Sequence, residues 1–348
     1  PPEGSLNKPD LVAPGRSITS SVRDGGYAAF NGTSMAAPHV TGAIALLRQL
    51  YPAWTPEQLK AAVANSALDL GSNPFQQGSG RLQLAEAAVS SYLAVPNSLS
   101  MGLVDNNVAE WTSTQTFTVY NDLDTAQTVD LSIAAGLPAG LSAELSENSV
   151  TLSAGESHDV DLTVTVDNSV LPYPSAEPYS YSGKVELNNG AEVRQVPFAL
   201  IKAAQLILNW DVTPTFVKIH DRTSGGKRLT IVQPGSPYYV LLPPNTYDII
   251  SWWSSGNYTV VNEGVVLTDS TTKNISQSEA SHVTNFQLKY HTGEVQPVVG
   301  RERRVAIWQP STGNGLMLGS FGGGGQIPFS GFVSDMSEAY HYGVTGLH

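Results

Sequence analysis

A serine between small residues, at the predicted start of a helix, is the feature of this sequence that could do chemistry. Ser34 lies in NGTSMAAPHV at 31–40, where Gly32 and Ala36 leave its approach open. The first N–H groups of a helix lack partners and the helix dipole is positive there, so an oxyanion beside Ser34 would be stabilised. A serine hydroxyl stays protonated at neutral pH and needs a base and a group that orients the base. The motif therefore predicts a nucleophile whose partners must be found elsewhere.

The motif at 31–40 resembles the nucleophile signature of the subtilisin-like serine endopeptidases, the subtilases. The likeness extends in register over about residues 5–92, and the segments that carry it are KPDLVAPG at 8–15, GYAAF at 26–30, YPAWTPEQL at 51–59 and GSGRLQLAEAA at 78–88. The resemblance implies hydrolysis of polypeptide substrates through an acyl-enzyme on Ser34, without a cofactor for the chemistry. By the same resemblance, Thr33, Gly32 and Asn31 are oxyanion or support residues, and the asparagine side chain that the family uses as a second oxyanion donor lies upstream of this chain. Structural calcium sites occur in the family, but no Asp-rich loop locates one here.

The other two members of a catalytic triad are predicted to lie outside this chain. Subtilisin has the chain order Asp, His, Ser, and only 33 residues precede Ser34. His39 is close in sequence, but five residues turn a helix by about 500°, so His39 points about 140° away from Ser34. The other histidines lie in strand-like or loop segments without metal-ligand spacing. We expect the chain to be the carboxy-terminal portion of a larger protease and to be inactive alone.

Two alternatives stay open. Ser34 and Thr33 could cap the helix, because serine and threonine oxygens accept N–H bonds at helix starts. The chain could also be a non-catalytic extracellular binding or adhesion protein with a relic protease portion, whose β-sandwich domains contact cell-wall polymer or protein. Asn31 opens an N-glycosylation sequon, as do Asn257 and Asn274. A glycan at Asn31 would block the site, so we interpret that match as chance.

Composition limits the classes of partner. The 348 residues are 41% hydrophobic and 14% charged, which favours folded domains with sizeable cores. The formal net charge of -12 argues against a nucleic-acid or anionic-membrane partner. The chain has no cysteine, which excludes disulfides and thiolate metal sites. No run of about 18 apolar residues predicts a membrane span. We expect a secreted, extracellular or cell-surface protein.

The spacing of apolar residues changes along the chain, from helical spacing in the first part to strand alternation after residue 95. Four apolar residues at helical spacing predict a buried helix over 33–50: Val40, Ile44, Leu47 and Leu50. TPEQ at 55–58 predicts a capping box at the next helix. We expect these helices to pack against a parallel sheet, most of whose strands are absent from this chain. After residue 95 the period is two, and 160–166 is the clearest strand.

These patterns predict a multidomain fold, in which a partial α/β subtilisin-like domain precedes all-β sandwich domains. Residues 1–94 are predicted to be the carboxy-terminal portion of the protease domain. The predicted domains that follow are a fibronectin type III or immunoglobulin-like β-sandwich at 95–203, a small sandwich similar to carboxypeptidase-regulatory or transthyretin-like domains at 204–290, and a β-rich segment at 291–348.

Trp252 and Trp253 could contribute to an aromatic platform for sugar rings or extended peptides. Adjacent residues of a strand point to opposite faces, so only one of the two could join such a platform while the other packs inward. Core packing is the interpretation that we favour.

Overall fold

The computed structural model describes residues 7–175, 177–222, 228–255, 258–286, 302–309, 314–321, 329–333 and 341–346. The chain divides into two compact units, Pro1–Ala203 and Ala204–His348. The described residues are mostly β-sheet with few helices. Among them, no helix combines the length and the apolar character needed to cross a membrane.

Residues 7–91 contain a hairpin and four α-helices. The hairpin pairs β1 (Ile18–Ser21) with β2 (Tyr27–Phe30) in antiparallel register. The helices are α1 (Thr33–Leu50), α2 (Pro56–Asn65), α3 (Pro74–Gln77) and α4 (Leu84–Ala87). The helix predicted over 33–50 is therefore confirmed.

The capping box predicted for α2 is also confirmed. Thr55 Oγ1 accepts a hydrogen bond from Gln58 N at 3.2 Å, and Gln58 Oε1 accepts one from Thr55 N at 2.9 Å. Both bonds satisfy N–H groups that the first turn of a helix leaves free.

Helix α1 is less buried than its apolar residues predict. Ala43 and Leu47 are buried, but Leu46 is 52% exposed and Leu50 is 59% exposed. The predicted buried stripe is therefore wrong at Leu50. Leu50 has little packed against it, and the sheet formed within residues 7–91, as described, is the antiparallel pair β1–β2.

Leu47 of α1 contributes to a small core that also includes the first strand of the next sheet, β3 (Tyr92–Val95). The buried members of this core come from α1, α2, α4, β3 and the turn after α1: Leu47, Trp54, Leu59, Ala62, Val63, Ala87 and Leu93. The Tyr51 and Trp54 rings stack with centroids 3.8 Å apart. Trp54 Nε1 also donates to Asp122 Oδ1 at 2.8 Å.

Residues 92–203 form a β-sandwich. After β3 its strands are β4 (Leu99–Leu103), β5 (Glu110–Asn121), β6 (Gln127–Ile133), β7 (Leu141–Leu145), β8 (Ser149–Leu152), β9 (Ser157–Asp167), β10 (Ser180–Asn188) and β11 (Val193–Ile201). One sheet has the order β3-β5-β9-β7, and the other has the order β4-β11-β10-β6-β8. The buried side chains of both sheets form one core. The strand predicted at 160–166 lies in β9, and its four alternating apolar residues are buried in that core, as predicted: Val160, Leu162, Val164 and Val166.

Side-chain amides connect the helical part to the sandwich. Gln195 of β11 donates Nε2 to the carbonyl oxygens of Ala67 at 2.8 Å and Ser79 at 2.7 Å. Buried Asn65 accepts from Ala94 N at 2.9 Å and donates to Gln195 O at 3.3 Å. Buried backbone groups require such partners. The loop after α2, defined as residues 66–83 and including α3, is therefore held against the sandwich.

The second unit consists of three sheets in its described residues. Its strands are β12 (Ala204–Trp210), β13 (Phe216–Asp221), β14 (Arg228–Val232), β15 (Tyr238–Leu242), β16 (Asn245–Trp253), β17 (Tyr258–Leu267), β18 (Ser270–Ile275), β19 (His282–Phe286), β20 (Glu302–Gln309), β21 (Asn314–Phe321), β22 (Phe329–Val333) and β23 (His341–Gly346). The sheet orders are β15-β12-β18, β14-β13-β16-β17-β22-β19 and β21-β20-β23. A core joins the first two sheets. Strand β22 pairs with β17 and β19, so part of the segment 291–348 shares a sheet with strands of 204–290. The division into four domains stays a prediction.

The two adjacent tryptophans of β16 have different surroundings. Trp253 is buried in the core of the second unit and donates Nε1 to Val212 O at 2.7 Å. Trp252 lies against the Phe216 ring, with centroids 4.8 Å apart. Inward packing is therefore confirmed for Trp253.

We predict that Gln195→Ala destabilises the first unit. The substitution leaves the carbonyls of Ala67 and Ser79 without their side-chain donor, and each loss should lower the free energy of unfolding by about 1 kcal/mol. Urea denaturation followed by circular dichroism measures the change. Gln115→Ala is the matched control, because Gln115 is an exposed residue of β5. Equal midpoints for the two variants would show that the amide of Gln195 does not stabilise the fold.

We predict a pH-dependent contribution from Asp10. Burial raises the pKa of its carboxyl, but the ammonium groups of Lys60 and Lys8, each at 2.7 Å, outweigh burial and hold that pKa below its ordinary value of 3.8. When the pKa of a carboxyl is lower in the folded than in the unfolded state, its ionised form stabilises the protein at pH values above the unfolded-state pKa. This stabilisation is lost as the pH falls through the folded-state pKa. Lys60→Met should therefore lower the free energy of unfolding at pH 7 by up to about 1 kcal/mol.

Urea denaturation at neutral pH and again below the folded pKa of Asp10 checks this, because the difference from the wild type should disappear in acid. Lys273→Met is the control, since Lys273 makes no ion pair with a described carboxylate. A Lys60→Met effect of the same size at both pH values would contradict the assignment.

Candidate active site

Two hydrogen bonds hold the loop that leads into α1. Gly32 N donates to Gly15 O at 2.8 Å, and Ser17 N donates to Asn31 Oδ1 at 2.6 Å. Gly32 has a φ of 146°, which L side chains rarely adopt. A Cβ on Gly15 would lie 2.8 Å from Gly32 O, so the segment 8–15 can approach the loop closely because it ends in glycine.

Ser34 is the second residue of α1 and is exposed. The helix is capped by Gly32 without a side-chain bond, and Met35 N donates to Gly32 O at 3.0 Å. Thr33 and Ser34 therefore lie inside the first turn, and neither caps the helix, which overturns the capping interpretation. Their N–H groups are among those that a helix leaves without an internal partner, at the positive end of its dipole.

Pro38 and His39 shape the next turn of α1. Pro38 has no N–H, so the carbonyl of Ser34 lacks its usual helical donor. His39 Nδ1 donates to Met35 O at 2.9 Å, which directs the ring back along its own helix. In the part of the chain that the structure describes, no imidazole or carboxylate hydrogen-bonds to the Ser34 hydroxyl. The start of α1 therefore assembles Asn31, Gly32, Thr33 and Ser34 without a base.

The side chain of Asn31 supports the loop that leads into α1. Its oxygen accepts the bond from Ser17, so the carboxamide fixes the loop. Sequence analysis did not select Gly15 and Ser17 as residues that position the site. The Pro-Gly pair at 14–15 was the available signal, because such pairs mark turns in which the chain can approach another segment closely.

Other parts of the first unit offer clefts but no metal site. Among the described residues, no group of three or more His, Cys, Asp or Glu side chains could hold a metal ion. Two neighbouring clefts, of about 360 and 240 Å³, are lined by Asp69, Lys184 and Gln195 among others. Residues 31–40 line neither cleft.

Comparison with known proteins gives information on the segment that carries Ser34. The family described as the subtilase family matches residues 3–81. The match supports the subtilase family, a class of serine proteases, for this part of the chain.

Three bacterial proteases are similar to part of this chain. The chain is 36% identical over 126 residues to minor extracellular protease Vpr of Bacillus subtilis (strain 168), covering 33% of this chain and 16% of that protein. It is 51% identical over 79 residues to alkaline elastase YaB of Bacillus sp. (strain YaB), covering 23% of this chain and 20% of that protein. It is 46% identical over 79 residues to subtilisin of Bacillus pumilus, covering 23% and 28%. The chain thus spans less than a third of the length of these relatives.

We predict that Asn31→Ala loosens the loop before Ser34. The Ser17 amide loses its acceptor, so its hydrogen exchange should become about tenfold faster or more, the equivalent of about 1.4 kcal/mol. Nuclear magnetic resonance of the Ser17 amide measures the rate. Asn31→Asp is the control because it keeps the Oδ1 acceptor and should preserve protection. Equal rates in the wild type and Asn31→Ala would remove Asn31 from this role.

Proposed function

We propose that Ser34 is the nucleophile of a subtilisin-like serine endopeptidase that hydrolyses peptide bonds in polypeptide substrates. The observation that carries the proposal is the exposed hydroxyl of Ser34 in the first turn of α1, within a segment that matches the subtilase family. Ser34 Oγ attacks the scissile carbonyl and forms an acyl-enzyme, which water then hydrolyses. The carbonyl oxygen becomes an oxyanion during the attack.

The start of α1 provides the groups that would stabilise this oxyanion. The N–H of Ser34 lies at the positive helix end, and the Thr33 hydroxyl is a further donor beside it. Gly32 and Ala36 leave the approach of a substrate to Ser34 open, since neither has a side chain larger than a methyl group. Asn31 contributes indirectly, because it holds the loop through Ser17.

The base and its orienting carboxylate are the missing partners in this proposal. The described residues bring neither to Ser34, and the chain spans 16% to 28% of the three relatives. We therefore propose that an aspartate and a histidine outside these 348 residues complete the site. Removing triad function lowers kcat by about 10⁶, so these residues alone should show no peptidase activity.

The cellular location, cofactor requirement and accessory domain of the protein are also proposals. Vpr is described as an extracellular protease, and the net charge of -12 suits a solubilised secreted protein. We propose that the protein acts outside the cell and that the chemistry needs no cofactor, with structural calcium as a separate proposal that has no located site. The two-sheet arrangement of 92–203 supports a fibronectin type III-like accessory domain.

We predict that a fluorophosphonate probe labels Ser34 in the full-length protein, with the upstream region present, because such probes react with activated serines. Ser34→Ala should abolish labelling and lower kcat by about 10⁶. Ser20→Ala is the matched control, since Ser20 lies in the nearby strand β1 and should leave labelling unchanged. Mass spectrometry of the labelled peptide identifies the site. Labelling at a serine other than Ser34 would defeat the assignment.

A further inference from the structure

A buried lysine and an asparagine meet at one end of the sandwich. Lys202 follows β11 and Asn168 follows β9, so the two residues come from different sheets. Lys202 is only 2% exposed, and its Nζ donates a hydrogen bond to Asn168 Oδ1. The Tyr173 ring covers the same group, with its centroid 5.1 Å from Nζ. A buried amine and a partly exposed carboxamide are thus held in contact.

Other hydrogen bonds fix both residues. Asn168 Nδ2 donates to Asp105 O at 2.9 Å and to Val108 O at 2.8 Å, so the carboxamide oxygen is the end that faces Lys202. The backbone N of Lys202 donates to Tyr179 O at 2.9 Å. Groups that are fixed in contact react faster than free ones, because little orientational entropy remains to be lost.

The surroundings favour an uncharged amine. A buried ammonium is unfavourable unless it is paired, and within the described residues no carboxylate forms a salt bridge with Lys202. Burial lowers the pKa of the Lys202 side chain, whereas the negative charge of Asp167 acts in the opposite direction. A desolvated lysine of this kind is a nucleophile.

We propose that Lys202 and Asn168 are joined by an intramolecular isopeptide bond. The lone pair of Nζ attacks Cγ of Asn168, the Nζ–Cγ bond forms and the Cγ–Nδ2 bond breaks. Nδ2 leaves as ammonia with one proton from Nζ, so the step needs no oxidant or other co-reactant. The product ties one sheet of the sandwich covalently to the other.

The mass of the 348-residue chain tests the proposal directly. The folded protein should be lighter than its sequence by about 17 Da, the mass of one ammonia. Trypsin should then fail to cleave after Lys202, and peptide 195–218 should remain joined to peptide 82–184, which contains Asn168 and no internal Lys or Arg. Release of the free peptide 195–202 from a chain of unreduced mass would overturn the proposal. A loss of ammonia that maps to a different asparagine would overturn it as well.

Two lysine variants provide matched controls. Lys202→Arg keeps the positive charge but cannot form the bond, so its mass should equal that of its sequence. Lys184→Arg changes a lysine that pairs with Asp69 and should keep the full loss of ammonia. A mass deficit that persists in Lys202→Arg would contradict the proposal. The wild-type measurement decides the question even if Lys202→Arg does not fold.

Discussion

The structure of the first unit depends on the amide groups that join the loop after α2 to the sandwich. Gln195 satisfies the carbonyls of Ala67 and Ser79, and Asn65 satisfies the N–H of Ala94. A buried backbone group left without a partner costs about 1–3 kcal/mol. Several such groups together would be comparable with a large part of the stability of a domain, about 5–15 kcal/mol. The loop therefore keeps its shape because β11 lies beside it.

A series of backbone hydrogen bonds links this loop to the start of α1, where the candidate nucleophile Ser34 lies. Ser79 N donates to Asp10 O at 2.9 Å, and Val12 N donates to Gly80 O at 2.9 Å, so the loop fixes the segment that ends at Gly15. Gly15 in turn accepts from Gly32 N at the start of α1. Each contact joins backbone to backbone and leaves little freedom. The position of the first turn of α1 is thus built on the sandwich, although the two are far apart in sequence.

Sequence patterns predicted the elements whose causes are local. Residues 33–50 and the capping box at Thr55 follow from neighbours three or four positions apart, and β9 follows from strict alternation. The exposure of Leu50 could not be predicted, because burial depends on what packs against α1 and not on its own pattern. Asn31 could not be assigned for a similar reason. Its partner Ser17 is 14 residues away, and no spacing rule relates the two.

The proposed catalysis at Ser34 has two requirements, stabilisation of the negative charge that forms and removal of the hydroxyl proton. The start of α1 bears only on the first. A helix start stabilises nearby negative charge by about 0.3–1 kcal/mol at an exposed position. A triad contributes a factor of about 10⁶, which corresponds to about 8 kcal/mol. The helix end therefore supplies only a small part of what a serine needs in order to attack an amide. Gly32 and the bond to Gly15 fix where the first turn lies. In the proposed reaction this part of the chain would set the direction of attack and receive the charge. The proton of the hydroxyl has to be removed by a group that these residues do not provide.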